Sequence, residues 1–164
     1  IDSLSAGPEM ELIIDKLKEL IDAGLNFDEI CAKINAYKEK THLNFALESL
    51  DNLAKNGRIS PAVAKVAKML KIRIIGRPDD GKLTPIGKAR GAKKTISYLI
   101  KDMEEHGFSN GRVIIAHILN EEGANNLKQT ILDKHPEASV EIRNARGLCT
   151  YYAQKGGLMV GYEA

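Results

Sequence analysis

The first forty residues place apolar side chains at helical spacing. Apolar residues recur every three or four positions in Met10–Ile21, just after Pro8, which predicts one amphipathic helix. Asn26 is an N-cap residue with Glu29 three positions later, a pairing typical of the capped start of a second helix. The chain is therefore expected to open with two helices.

After these helices the apolar pattern changes from helical spacing to alternation. Large apolar residues occupy every second position of His42–Leu47, which predicts a strand with one apolar face. Lys71–Gly76 alternates in the same way, Pro78–Gly81 is a strong turn sequence, and Leu83–Ile86 is expected to be the returning strand. This hairpin requires at least one antiparallel pair of strands.

The rest of the chain alternates between predicted helices and strands. The expected elements are a helical turn at Leu50–Lys55, a helix from Ser60 that turns Val63, Val66, Ala67 and Leu70 inward, helices at Ala92–His106 and Glu121–His135, and strands at Arg112–Leu119, Val140–Arg143 and Leu158–Tyr162. Cys149–Tyr152 is interpreted as part of the connection between the last two strands. The order predicts an α/β fold in which helices cover a mixed sheet.

The composition of the chain excludes several classes of protein. The 24 basic and 22 acidic residues give a net charge of +2, which is too balanced for a nucleic-acid-binding surface. No apolar run approaches the ~18–20 residues of a membrane span, and no secretory signal is visible. The two cysteines lack metal-ligand spacing and are expected to be reduced. A cytoplasmic protein is therefore expected.

Two basic segments are candidates for binding an anion or a partner protein. Arg58 follows Gly57 directly before a predicted helix start, where a guanidinium can bind a carboxylate or phosphate through two N–H groups. An ordinary surface arginine in a loop is the alternative. Arg90 lies in the basic segment Gly87–Gly91, which is either a close-contact site or a solvated basic face.

The chain carries no motif of an independent catalyst. GxSxG, GxGxxG and the P-loop sequence are all absent. His117 lies within an apolar strand and is interpreted as a structural residue rather than a base. Tyr151 and Tyr152 either line an apolar cleft or belong to the core. We therefore expect a binding protein, with no metal site and no cofactor.

Five segments, taken in order along the chain, resemble the DegV family of bacterial proteins. They are IDSLSA (1–6), LESLDNLAKNGRIS (47–60), KMLKIRIIGRPDDGKLTPIGKARG (68–91), IIAHILNEEGANNLKQTIL (114–132) and GGLMVGYE (156–163). Each segment alone is a weak signal, whereas five in the family's order are specific. The resemblance extends over essentially the whole chain.

The resemblance implies a lipid-binding protein of the cytoplasm that holds a long-chain fatty acid between two α/β lobes. Residues 1–41 would be the end of the N-terminal lobe, and residues 42–164 would form the C-terminal lobe. In the best understood members, a separate fatty acid kinase phosphorylates the bound acid for phospholipid synthesis. The alternative is a protein-interaction or small-anion-binding module of the same fold without fatty acid.

The resemblance also implies roles for particular residues. Arg58 and Arg90 match the arginines of two family motifs and are expected either to dock the kinase or to bind the acyl-phosphate headgroup. The expected ligand-binding residues are Arg58, Ile59, Ile72, Ile74, Tyr152 and Gln154, with Leu70 and Ile115 as further apolar lining.

The chain departs from the family pattern in two places. Ala153 stands where members that bind fatty acid usually have a histidine, so Tyr152, Gln154 or Lys155 is expected to replace it at the headgroup. The family's carboxylate-binding Thr and Ser precede Ile1, which predicts either a processed or truncated protein or a second chain that covers exposed apolar surface.

Overall fold

The computed structural model describes residues 1–164, which form seven helices and six strands. The helices are α1 (Pro8–Asp22), α2 (Phe27–Lys38), α3 (Asp51–Lys55), α4 (Pro61–Met69), α5 (Ala92–Glu105), α6 (Glu121–Lys134) and α7 (Gly147–Ala153). The strands are β1 (Thr41–Leu47), β2 (Arg73–Asp79), β3 (Lys82–Ala89), β4 (Arg112–His117), β5 (Ser139–Asn144) and β6 (Leu158–Glu163). No helix is both long and apolar enough to cross a membrane.

The six strands form one mixed sheet in the order β3-β2-β1-β6-β4-β5. Strands β4 and β5 are parallel and are joined by α6, whereas all other neighbours are antiparallel. Strand β6, the last in the chain, lies between β1 and β4 near the middle of the sheet. The predicted fold class, a mixed sheet covered by helices, is confirmed.

Helices cover both faces of this sheet. Apolar side chains of α5 and α6 pack on one face in the largest core cluster. On the other face, α1 packs against β6, β4 and β1, while α3, α4 and α7 surround a second core cluster. Helix α2 packs on α1. The assignment of residues 1–41 to a preceding lobe stays a prediction.

Local sequence signals account for several element boundaries. The Asn26–Glu29 capping box forms as predicted at the start of α2, and the Ser60 side chain caps α4. Asp80 and Gly81 both have positive φ, 48° and 71°, as a type I′ hairpin turn requires. The predicted hairpin is confirmed.

One prediction from the sequence is wrong, and one helix was not predicted. Val63, Val66 and Leu70 were expected to face inward, but they are 43%, 48% and 50% exposed, respectively. Ala67 is buried as predicted, together with Ala64. Small residues let the helix lie close to its neighbours, which rotates the larger apolar ones outward. The segment before β6 also contains a helix, α7, that was interpreted only as a connection.

Candidate functional site

An apolar groove lies on the face of the sheet that carries α3 and α7. The cavity within it has a volume of about 100 Å³, and all eleven residues that line it are apolar. Strands β1 and β6 form its floor, and α3 and α7 form its walls. The lining residues are Ala6, Leu43, Phe45, Leu47, Leu53, Leu83, Leu148, Cys149, Tyr152, Ala153 and Met159.

The groove follows from the alternation of side chains along β1. Residues at every second position point to the same face of a strand, so Leu43, Phe45 and Leu47 share this face. Gly76 pairs with Phe45, and a Cβ at Gly76 would lie 2.4 Å from the Phe45 ring. Only glycine at this position therefore leaves room for the ring.

One side of the groove is open. Leu83 and Leu148 both line it and are 42% and 66% exposed, respectively. Exposed apolar side chains around a concave surface mark a place where another apolar surface or a ligand binds. This open side is therefore the candidate place for a ligand or for a second apolar surface.

A second, smaller cavity adjoins this groove. It has a volume of about 40 Å³ and shares Phe45, Leu53 and Leu83 with the groove. Its other lining residues include three that were predicted from the sequence: Arg58, Ile59 and Ile74. Arg58 itself is exposed. The structure therefore brings these three residues together beside the groove.

Ile72 lies elsewhere, in a pocket of about 370 Å³ that opens at the start of α5. Basic residues dominate this pocket, with Lys68, Lys71 and Arg73 in its lining. Arg73 forms an ion pair with Glu48. Arg90 is exposed and precedes Gly91, which lines the same pocket. The predicted set is thus divided between an apolar groove and a separate basic pocket.

Two further residues suggested as apolar lining lie outside the groove. Ile115 is 0% exposed in the core between the sheet and helices α5 and α6, on the opposite face. Leu70 is half exposed at the end of α4 and lines neither of the two apolar cavities.

Gln154 follows α7 at the end of the groove. Its side-chain oxygen accepts a hydrogen bond from the Ser49 hydroxyl at 3.1 Å, whereas its buried Nε2 has no hydrogen-bond partner. Its backbone has φ 54° and ψ −179°, a region that residues other than glycine rarely adopt. The preceding residue, Ala153, is buried and lines the groove. Gln154 therefore carries a buried donor without a partner directly after the groove residue Ala153.

Helices α3 and α7 are tied together by polar contacts at the rim of the groove. Asn52 donates to the backbone oxygen of Tyr151 at 2.8 Å, and Asn56 donates to the Tyr151 hydroxyl at 3.0 Å. The rings of Tyr151 and Tyr152 meet edge to face with centroids 5.1 Å apart. Tyr152 lines the groove, so the cleft interpretation of this residue fits its position.

A thiol in the groove is held in its neutral form. Burial raises the pKa of Cys149 above its usual value, and the charge of Glu11 acts in the same direction. Cys149 and Cys31 are both free thiols. A neutral thiol behaves as a small apolar side chain, so Cys149 adds to the apolar lining.

A polar cavity of about 170 Å³ lies beside the first residues of β1, where Thr41, His42, Leu43 and Asn44 all line it. Asn44 is 1% exposed there and donates to Asp102 at 3.0 Å, while its own side-chain oxygen has no partner. Arg77 contacts His106 and lies 3.8 Å from Asp102. Burial, followed by the charges of His106 and Arg77, lowers the pKa of His42.

Most of the groove lining was not predicted from the sequence. The alternation in β1 marked Leu43, Phe45 and Leu47 as one apolar face, but it could not show that this face stays partly uncovered. Leu148 and Met159 come from α7 and β6, far away in the chain, and no local signal joins them to β1. The spacing of apolar residues in Leu148–Tyr152 could have indicated the missed helix.

Comparison with known proteins is consistent with this geometry. Residues 1–164 match the family model described as uncharacterised protein, DegV family. A DegV domain-containing protein of Streptococcus pyogenes serotype M3 is 44% identical over 164 residues, which cover 99% of this chain and 59% of that protein. One from Streptococcus pneumoniae strain R6 is 43% identical, with coverage of 99% and 58%. The chain thus spans less than two thirds of the length of these relatives.

Two solved structures share the fold and contain fatty acids. A DegV family protein from Eubacterium eligens, loaded with heptadecanoic acid, is 40% identical with a TM-score of 0.95 over 100% of this chain and 60% of that one. The Streptococcus pneumoniae Fatty Acid Kinase (Fak) B3 protein, loaded with linoleic acid, is 43% identical with a TM-score of 0.95 over 99% and 58%. On the match over its whole length, the chain belongs to the DegV family.

Proposed function

We propose that this chain holds the hydrocarbon tail of a long-chain fatty acid in the groove between α3 and α7. The observation that carries this proposal is the groove itself, whose eleven lining residues are all apolar and which stays open at Leu83 and Leu148. Transfer of each CH₂ from water to such a surface is worth about 0.8 kcal/mol. Similar proteins loaded with heptadecanoic and linoleic acids support this choice of ligand.

The open side of the groove needs a second surface to enclose the ligand. The chain covers 59% of its relative from Streptococcus pyogenes, so these relatives contain a part that it does not match. We propose that such a part forms a second lobe, with residues 1–41 as its end, and that the fatty acid lies between the lobes. The cavities of about 100 and 40 Å³ are then two pieces of a longer tunnel.

The headgroup is proposed to lie at the Gln154 end of the groove. Ala153 has no hydrogen-bonding side chain, whereas Gln154 has a buried N–H₂ group without an acceptor. A buried donor without a partner costs about 1–3 kcal/mol, and a carboxylate oxygen would recover that cost. Tyr152 lines the adjacent wall, while Arg58, Ile59 and Ile74 extend the site on the side of α3.

The chemistry of the bound acid is proposed to occur on a separate fatty acid kinase, with this protein as a non-enzymatic carrier of the cytoplasm. The similarity to the Fatty Acid Kinase (Fak) B3 protein supports this partner. Arg58 and Arg90 are exposed guanidinium groups that can bind carboxylates of a partner surface through two hydrogen bonds. Ile72 lines the basic pocket beside Arg90 and would take part in docking rather than in binding the tail.

Native mass spectrometry of the intact protein, with lipid extraction of the same sample, tests the proposal. We expect a bound acid of about 14 to 18 carbons, which Leu148→Asp should remove because it places a charge on the groove wall. Leu119→Asp is the matched control, since Leu119 is 80% exposed and does not line the groove. A mass without ligand, unchanged after incubation with linoleic acid, would contradict the proposal.

That result would favour a second candidate function, a module that binds an anion or an acidic protein without lipid. The basic pocket lined by Lys68, Lys71 and Arg73 is the observation that supports it. Titration with inorganic phosphate, and with an acidic peptide, would then show which of these the pocket binds.

A further inference from the structure

Phe45 lies where the two apolar cavities meet. The groove cavity of about 100 Å³ and the smaller cavity of about 40 Å³ share three lining residues, Phe45, Leu53 and Leu83. These three side chains border both spaces, so their positions decide how wide the passage between the cavities is. Phe45 is the largest of the three and is 7% exposed. The width of the passage therefore depends most on where its ring lies.

Gly76 leaves the space in which the Phe45 ring lies. The two residues are partners in the β1–β2 pair, so a side chain at position 76 would be on the same face of the sheet as the ring. A Cβ at Gly76 would overlap the ring at Cζ and would lie 2.6 Å from Cε2 and 2.8 Å from the backbone oxygen of Thr84. These distances are too short for unbonded atoms. The ring therefore occupies the space that a side chain at position 76 would fill.

Space, rather than backbone conformation, requires glycine at position 76. Eight glycines of the chain have positive φ, and Gly76 is not one of them. The register of β2 against β3 shifts between Ile75 and Gly76, but such a shift without a positive φ does not require glycine. Glycine also weakens a strand, because it has no side chain to pack. What it provides here is room for the ring beside β2.

A side chain at position 76 would move the Phe45 ring toward the passage. The Thr84 oxygen belongs to the paired part of the β2–β3 hairpin, where Thr84 is the partner of Arg77. An aromatic ring turns about its own side-chain bonds more readily than a paired strand shifts. The empty spaces beside the ring are the two cavities that it lines. The displaced ring would therefore enter them and narrow the passage.

We infer that Gly76 and Phe45 together make the site accept long acids, whose tails extend past Phe45 into the smaller cavity. This inference rests on the proposed function and adds a substrate class, acids of the length of octadecanoic acid. The tail of a shorter acid, such as tetradecanoic acid, ends before the passage, so its affinity does not depend on this pair. Each CH₂ group buried beyond Phe45 contributes about fourfold in affinity.

Gly76→Ala tests the role of the pair. Competition against a fluorescent fatty acid, with the delipidated intact protein, compares octadecanoic with tetradecanoic acid. We expect the affinity for octadecanoic acid to fall about fifteenfold, the contribution of two CH₂ groups, and that for tetradecanoic acid to fall less than about fourfold. A merely structural role of Gly76 would weaken the two acids by the same factor.

Gly87→Ala is the matched control. Gly87 lies in the same hairpin, also without a positive φ, and a Cβ there would meet the Tyr98 ring. Tyr98 belongs to α5 and packs against the core cluster on the opposite face of the sheet. The substitution thus disturbs the hairpin to a similar degree without touching the groove. It should leave the ratio of the two affinities unchanged.

Phe45→Leu in the Gly76→Ala background supplies the test of coupling. Leucine lacks the ring atoms that a Cβ at position 76 would overlap, so the affinity for octadecanoic acid should return to within about threefold of that of the unsubstituted protein. Thermal unfolding checks that each variant is folded. If Gly76→Ala unfolds, Leu83→Phe replaces it, because Leu83 is 42% exposed and lines both cavities. It narrows the passage from another side and should cause the same selective loss.

The outcomes separate this inference from the proposed function. If the unsubstituted protein binds both acids and Gly76→Ala weakens them equally, the role of the pair is overturned and the carrier function stands. If Gly87→Ala changes the ratio as much as Gly76→Ala, or if the loss persists after Phe45→Leu is added, the inference is likewise overturned. If the unsubstituted protein binds neither acid, both the inference and the proposed function are overturned.

Discussion

The two faces of strand β1 lie in two different environments. Leu43, Phe45 and Leu47 line an open apolar groove. His42 and Asn44, on the opposite face of the strand, line a polar cavity that Leu43 also borders. The groove is defined by shape and by the absence of polar atoms. The polar cavity is defined by specific hydrogen bonds, such as that from Asn44 to Asp102 at 3.0 Å.

This difference predicts how each face responds to substitution. Apolar contacts are individually weak and numerous, so the groove should tolerate changes that keep its volume. A buried polar network loses stability when any member loses its partner. Changes on the groove face should therefore alter both stability and ligand affinity, whereas changes on the polar face should alter stability and its dependence on pH.

The largest effect is expected for Phe45→Ala, which breaks the groove face at its centre. Phe45 is 7% exposed, lies over Gly76 and lines both apolar cavities. Its removal should lower the free energy of unfolding by about 3–5 kcal/mol, the usual cost of deleting a buried phenyl ring. Urea denaturation measures this. Leu83→Ala is the control, because Leu83 is 42% exposed, and an equal loss there would contradict the central role of Phe45.

A smaller loss is expected for Asp102→Ala on the polar face. Asp102 is 7% exposed and accepts from Asn44, so its removal leaves a buried donor unpaired at a cost of about 1–3 kcal/mol. Glu105→Ala on the same helix removes only an exposed ion pair with Lys101 and should cost less than about 1 kcal/mol. Linoleic acid affinity should stay unchanged in both variants. A lower affinity in Asp102→Ala alone would show that the two faces are coupled.

The smallest effect is expected from titration of His42. Its pKa is lowered in the folded protein by burial and by the neighbouring His106 and Arg77, with Asp102 acting in the opposite direction. The unfolded chain therefore binds the proton more readily, and folding stability falls as pH drops through the unfolded pKa of about 6.5. His42→Gln should lose less stability than the unsubstituted protein between pH 8 and pH 5, measured by urea denaturation at each pH. Parallel curves would contradict this prediction.

The sequence predicts local structure well where a residue's own neighbours decide the outcome. The capping box at Asn26, the Ser60 cap and the hairpin turn at Asp80–Gly81 all form as expected. Each depends on hydrogen bonds or dihedral angles within a few residues, so the sequence contains the whole interaction. The resemblance to the DegV family, which the match over residues 1–164 confirms, also predicted the fold.

The candidate site was predicted less completely. Arg58, Ile59 and Ile74 do lie together beside the groove, but Ile72 lines a different pocket, and most of the groove lining was not foreseen. The roles of Arg90, Tyr152 and Gln154 remain predictions. Which side chains meet across a sheet depends on strand order and register, and neither can be read from local periodicity.

By itself, then, the sequence determined the period of most segments, several caps and turns, the mixed sheet and the family. Only the tertiary structure decided that the last strand, β6, lies between β1 and β4, and so that Met159 lies beside Phe45. It also decided that the unpartnered nitrogen of Gln154 is buried opposite Ser49. The physical reason is that local structure is set by short-range hydrogen bonds and dihedral preferences, whereas burial depends on which distant segments pack together.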